Sequence, residues 1–246
     1  MKLISLNLKR RFQILLTRTV VLLFGTGKVG SLKFFLNEPF LSKNVVDRIV
    51  KGKYEVNELQ ILNRNLDSND CVMDLGTGMG CIALHCAIKC SPQRVHTYEA
   101  NPLLIPWINK NFGLNRLFPN LINAILTNRP AVDSVSFYVC KDFYSSSLTR
   151  PSEFESIVQV PVRDFRLEME KVKPTFIIAD IEGFEYELFK GVELPQSVNK
   201  VLIELHPKKA YTQFDIAQHL ETMGFLVEKE YLALNQLYAS RPKSVE

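Results

Sequence analysis

Short apolar runs alternate with stretches of helical periodicity along most of the chain. Val72, Met73 and Leu75 predict a strand, which Gly76, Gly78 and Gly80 terminate. Cys81, Ile82, Leu84, Ala87 and Ile88 then recur at the spacing of a helix packed on a sheet. Arg94 to Glu99 predicts a second strand, and Leu103, Ile105, Trp107 and Ile108 mark the helix after it. Leu121 to Leu126 predicts a third strand and Thr175 to Asp180 a fourth, apolar throughout as a doubly covered strand must be. A turn and helix follow, stopped by Gly191. Lys200 to Pro207 predicts the fifth strand, and a helix from Phe214 to Met223 stops at Gly224. Phe225 to Tyr231 and Leu234 to Ala239 read as a closing hairpin. This alternation predicts an α/β fold with a doubly wound, mostly parallel sheet and an antiparallel C-terminal end.

Some segments exceed that plan. Residues 1–50 read as an N-terminal helical extension, leaving 51–246 as the main domain. Phe12, Leu15, Leu16, Thr19, Val20 and Leu23 share a helical face, ended by Gly25-Thr26-Gly27. The apolar run there is about 13 residues long and broken by Arg18, too short to span a bilayer. Ser134 to Cys140 and Ile157 to Val162 predict an antiparallel β insertion before the fourth strand, with Ser145-Ser146-Ser147-Leu148 as a loop. That insertion is placed to act as a lid or substrate-facing wall. Tyr54 to Leu62 reads as a helix before the first strand; Glu55 and Glu58 share a face of it and are expected to be solvated.

The chemistry gathers at the predicted strand ends. In open α/β sheets, ligands bind at the carboxyl ends of the strands. Those ends carry Asp74, Glu99, Asn123, Asp180, Glu182 and His206. The glycine turn opens a helix whose free N–H groups suit a nucleotide. A dinucleotide asks for G-x-G-x-x-G. Here the glycines alternate, Cys81 stands where the third small residue belongs, and Asp74 places a carboxylate in the turn. A carboxylate there repels a pyrophosphate and suits S-adenosylmethionine, which carries an ammonium and a sulfonium. Glu99 lies 23 residues after Gly76, the placement of an acid that binds ribose hydroxyls. Asn123 is positioned either to read an adenine edge or to cap a turn. Asp180, Glu182 and His206 are candidates to take a proton from an attacking hydroxyl. The same three would also suit Mg²⁺ or Mn²⁺.

Composition narrows the partners. A net charge of +4 without long basic runs argues against nucleic acid. Cys71, Cys81, Cys86, Cys90 and Cys140 are odd in number and unpaired in spacing, which points to free thiols in a reducing compartment, the cytoplasm.

The chain resembles the FkbM family of methyltransferases. The resemblance rests on Asp74-Leu75-Gly76-Thr77-Gly78-Met79-Gly80, Glu99-Ala100-Asn101-Pro102, Ser145-Ser146-Ser147-Leu148 and Val162-Arg163-Asp164. Above all it rests on Asp180-Ile181-Glu182-Gly183-Phe184-Glu185, which matches a D-[IV]-E-G-x-E signature. The resemblance covers Lys51 to Tyr238 and implies a Rossmann-like class I methyltransferase fold of seven strands. It implies methyl transfer from S-adenosylmethionine, most often to a hydroxyl of a sugar, glycan or secondary metabolite. Asp74, Gly76, Thr77, Gly78, Gly80, Glu99, Ala100, Asn123, Ala124 and Asp180 would bind the cofactor. Asp180, Glu182 and His206 would serve catalysis, with no metal required. The family usually shows G-A-N where this chain has Gly76-Thr77-Gly78, a turn similar to that of glutamine methyltransferases acting on release factors. Those enzymes need N-P-P-Y after the fourth strand, and Asp180-Ile181-Glu182-Gly183 stands there instead. A nicotinamide-dependent oxidoreductase and a non-catalytic binding module of the same fold are the alternatives.

Overall fold

Apolar side chains along each central strand alternate between two separate cores. The computed structural model describes residues 14, 15, 19, 21, 23–148, 150–206 and 213–242. In β9 (Phe176–Ala179), Phe176 and Ile178 enter one core while Ile177 and Ala179 enter the other. Val72 and Met73 of β3 (Val72–Leu75) divide in the same way, as do Leu202 and Ile203 of β10 (Lys200–Glu204). Both faces are therefore covered, which explains why these strands read as continuous apolar runs.

The sheet has seven strands in the order β11-β12-β10-β9-β3-β4-β5. Here β4 is Val95–Glu99, β5 Asn120–Asn123, β11 Leu226–Val227 and β12 Gln236–Ser240. The pairs β5–β4, β4–β3, β3–β9 and β9–β10 are parallel, and β12 is antiparallel to β10 and β11. From β3 the chain winds outward to β5, then returns to β9 on the other side of β3. The switch point between β3 and β9 is where such sheets open a ligand crevice. Helices α2 (Val56–Asn65), α3 (Cys81–Cys90) and α4 (Ile105–Asn115) pack in the first core. Helices α5 (Phe165–Val172), α6 (Glu185–Phe189) and α7 (Gln213–Thr222) pack in the second. Asp164 caps α5, its Oδ1 accepting the N–H groups of Arg166 and Leu167 at 2.7 and 3.2 Å.

Four expectations need correction. The N-terminal segment is not purely helical, because β1 (Thr26–Val29) and β2 (Leu32–Phe35) form an antiparallel hairpin. It folds onto α4 through side-chain amides: Asn111 Oδ1 accepts the N–H of Phe35 at 3.0 Å, and Asn115 Oδ1 that of Lys33 at 2.9 Å. Helix α1 (Lys43–Val50), started by Ser42, adds Val45 and Ile49 to the first core. The expected helical positions Phe12, Leu16 and Val20, and Pro207 at the end of the fifth predicted strand, lie outside the described residues; Leu15, Thr19 and Leu23 are helical.

The third predicted strand is two strands. It leaves the main sheet after Asn123, and β6 (Ile125–Thr127) joins the insertion. Asn123 Nδ2 donates to the carbonyls of Glu99 and Ala100 at 2.8 and 3.1 Å, holding the chain where it changes sheet. The insertion is mixed rather than antiparallel: β8 (Ser156–Asp164) pairs parallel with β6 and antiparallel with β7 (Ser134–Val139). The closing hairpin keeps only two residues in β11, because residues 229–234 coil into a 3₁₀ turn that buries Tyr231 and Leu232.

Among the described residues no helix is long and apolar enough to cross a membrane. The cysteines are free thiols, four of them buried.

Candidate active site

A cavity of about 390 Å³ opens at the switch point, within the range of small-molecule sites. Its floor is the carboxyl edge of β3, β4, β9 and β10. The loop after β3 is fastened there: the N–H groups of Gly76 and Thr77 both donate to the carbonyl of Tyr98, at 2.9 and 3.1 Å. Gly76 is required by close approach. A Cβ there would stand 1.7 Å from the Asp180 carbonyl oxygen, and its φ is +91°. Gly80 is required by the first core, where a Cβ would meet the Phe112 ring at 2.7 Å. The tight glycines thus pack protein against protein.

Asp74 is 2% exposed, and its Oδ2 accepts the Thr97 hydroxyl at 2.6 Å. Thr97 in turn shares a hydrogen bond with Thr77, tying the carboxylate to the glycine loop. Burial pushes Asp74 up to about 6, against the Thr97 hydrogen bond. Glu99 spans two loops: Oε2 accepts the N–H of Gly78 at 3.0 Å and Oε1 that of Asn101 at 2.7 Å. Burial raises it to about 7, with those N–H groups opposing. Each oxygen retains a lone pair for a further donor such as a ribose hydroxyl.

The second half of the site is built on the turn after β9. Glu185, 1% exposed, reaches back into its own turn, and Oε1 accepts the N–H groups of Gly183 and Ile181 at 2.9 and 3.3 Å. The same oxygen lies 3.0 Å from Nδ1 of His206, beyond the end of β10. The other ring nitrogen, Nε2, lies 3.4 Å from Glu182 and 4.0 Å from Asp180. Burial alone would depress the imidazole; Glu185, then Glu182 and Glu204, more than offset it, and the net shift is upward. Burial, then the charges of Glu204, Glu182, Glu55 and Glu185, holds Asp180 well above the ordinary carboxylate range. Its Oδ1 is buried without a hydrogen-bond partner. Glu182 is raised by burial to about 7 even against the pull of His206, on a backbone with φ +52°.

Of the residues expected to bind cofactor, Asp74, Gly76, Thr77, Gly78, Glu99, Ala100, Ala124 and Asp180 line the cavity. Gly80 starts α3 beneath the lining, and Asn123 turns its amide onto the Glu99 and Ala100 carbonyls. The three expected catalytic residues line it together. Phe143, Tyr144, Ser146, Ser147 and Leu148 of the insertion form one wall. Glu55 and Glu58 are not solvated surface acids; they are half-buried and line the cavity beside Glu204. Sequence reasoning also passed over Glu185 as a site residue, although it is the last acid of the signature run.

The residues present suit S-adenosylmethionine. The floor is acidic, Glu99 has acceptor capacity left, and Asp180, in the cavity lining, keeps a buried oxygen without a hydrogen-bond partner. This sheet order, the glycine loop after β3 and the acid at the end of β4 define an S-adenosylmethionine-dependent methyltransferase of the Rossmann-like class I type. The family model described as Methyltransferase FkbM domain matches residues 75–232, and the chain belongs to that family. No curated protein matches the chain in sequence. Among solved structures it is similar to a precorrin-6y C5,15-methyltransferase from Geobacter metallireducens. The two share 15% identity with a TM-score of 0.48, over 82% of this chain and 93% of that one. It is also similar to a magnesium protoporphyrin IX methyltransferase from Synechocystis, solved with bound cofactor. The identity there is 13% and the TM-score 0.42, over 82% of this chain and 86% of that one.

Proposed function

We propose that this protein is an O-methyltransferase acting on a hydroxyl of a sugar, glycan or other hydroxylated small molecule in the cytoplasm. The observation that carries the reading is the Glu185–His206 pair, with Nε2 of the imidazole turned toward the cavity beside Glu182 and Asp180. When bound, S-adenosylmethionine supplies a methyl group made electrophilic by its sulfonium. Gly76, Thr77 and Gly78 would cradle it, Glu99 would accept from its ribose, and Asp74 and Asp180 would favour its positive charges.

A hydroxyl oxygen that accepts a methyl group must give up its proton. His206 Nε2 takes that proton, and Glu185, accepting from Nδ1, orients the ring and stabilises the imidazolium that results. Proton transfer of this kind contributes about 10²–10⁴-fold to rate. The cavity is lined by the carboxylates of Glu55, Glu58, Asp74, Glu99, Asp180, Glu182 and Glu204 against the bases Arg48 and His206. Such a wall disfavours phosphate-rich acceptors and supports a neutral or cationic one over nucleic acid. The free thiols support a reducing compartment.

The test is methyl transfer from labelled cofactor to panels of sugars, glycans and small alcohols. The expected product is a methyl ether, lost with His206→Asn while cofactor binding survives. A product methylated on nitrogen or carbon, or full transfer by His206→Asn, overturns the reading.

A further inference from the structure

Three acids of the cavity lining form a group of their own. Glu55 ends the segment before α2, Glu58 lies in its first turn, and Glu204 ends β10. One carboxylate oxygen from each lies within 4.8 Å of the others. Gln236 closes the group. It sits directly across from Glu204 in the β10–β12 register, so the two side chains leave the sheet on one face. Gln236 is 1% exposed, and its amide nitrogen donates to Glu58. The carbonyl oxygen of that same planar amide is buried with no hydrogen-bond partner. An amide oxygen so placed is costly unless something electropositive meets it. Arg48, whose guanidinium lies over the Tyr54 ring 5.9 Å from the centroid, acts on Glu55 and Glu58 and sets one positive charge against three carboxyl groups.

We infer that Glu55, Glu58, Glu204 and the Gln236 carbonyl form a binding site for a hard divalent cation, Mg²⁺, Mn²⁺ or Ca²⁺. All four donors are oxygens, the set such ions prefer, and none is the imidazole or thiolate that would favour zinc. The cation would neutralise three crowded carboxylates and satisfy the orphaned amide oxygen together. The site shares the cavity with the imidazole cluster of Asp180, Glu182 and His206 but takes none of those three side chains as a donor, and does not depend on which acceptor is methylated.

The experiment is titration of the full-length protein with Mn²⁺, read by loss of the free-ion paramagnetic resonance signal and by thermal melting. One Mn²⁺ binds per chain and raises the melting temperature by mass action. E204Q and E58Q, close in shape to the native side chains, each weaken binding about tenfold or more. If one of them fails to fold, the other carries the test. H206N keeps Mn²⁺ affinity. Absence of Mn²⁺ binding overturns the inference, as does wild-type affinity in E204Q or E58Q. Loss of binding in H206N overturns it too, since the ion would then belong to the imidazole cluster.

Discussion

Glu185 Oε1 accepts the N–H of Gly183 and also meets Nδ1 of His206, at 2.9 and 3.0 Å. One carboxylate oxygen therefore closes the turn after β9 and holds the imidazole at the end of β10. Glu185→Gln is expected to keep the fold and lower kcat about tenfold or more, with a smaller change in KM. Glu185→Ala also strands buried N–H groups, and denaturation should show a loss of ~1–3 kcal/mol.

His206 is expected to impose the alkaline-rising limb of the pH–rate profile. Glu185, Glu182 and Glu204 hold the pKa of the ring above the ordinary histidine value against burial, and Asp180 lies 4.0 Å from Nε2. A base must be neutral to act, so kcat rises with pH through that raised value. Glu185→Gln removes the first of these stabilising charges, and the limb should move to lower pH. A limb that stays in place would assign the base elsewhere.

Cofactor affinity should rise with pH around 7. Glu99 titrates near 7, and only its ionised form accepts from both ribose hydroxyls and its N–H partners together. Calorimetry across pH checks this, and Glu99→Gln should flatten the dependence and weaken binding by ~1.5–3 kcal/mol.

The unliganded protein should show the opposite trend in stability. Asp74 at about 6 and Glu99 at about 7 bind protons more tightly folded than unfolded. Their contribution is complete below the ordinary carboxylate range and is lost as pH rises from about 4 to about 7. Melting of Asp74→Asn should lose part of that decline.

Gly76 and Gly78 should differ sharply. A methyl at Gly76 meets a backbone carbonyl at 1.7 Å, whereas at Gly78 it meets only the Phe143 ring at 3.2 Å. Gly78→Ala, at φ +55°, should cost ~1–2 kcal/mol from the left-handed backbone. Gly76→Ala must also move β9 or the loop, and should fail to melt cooperatively or lose cofactor binding.

The sequence by itself determined the succession of central strands and helices. Each central strand is covered on both faces, so its apolar run is a local requirement that any chain in this fold must meet. It also determined that Asp74, Glu99, Asp180, Glu182 and His206 share one edge, because parallel strands all end on the same side. Tertiary structure decided the rest. Glu55 and Glu58 meet Glu204 only in the folded chain, where the β10–β12 register sets Gln236 beside Glu204 and the Glu58–Gln236 hydrogen bond joins residues 178 positions apart. The split of the third strand and the hairpin at residues 26–35 rest on the amides of Asn123, Asn111 and Asn115 finding distant backbone partners. Periodicity reports which face of an element is buried; it carries no record of which distant polar group will meet it there.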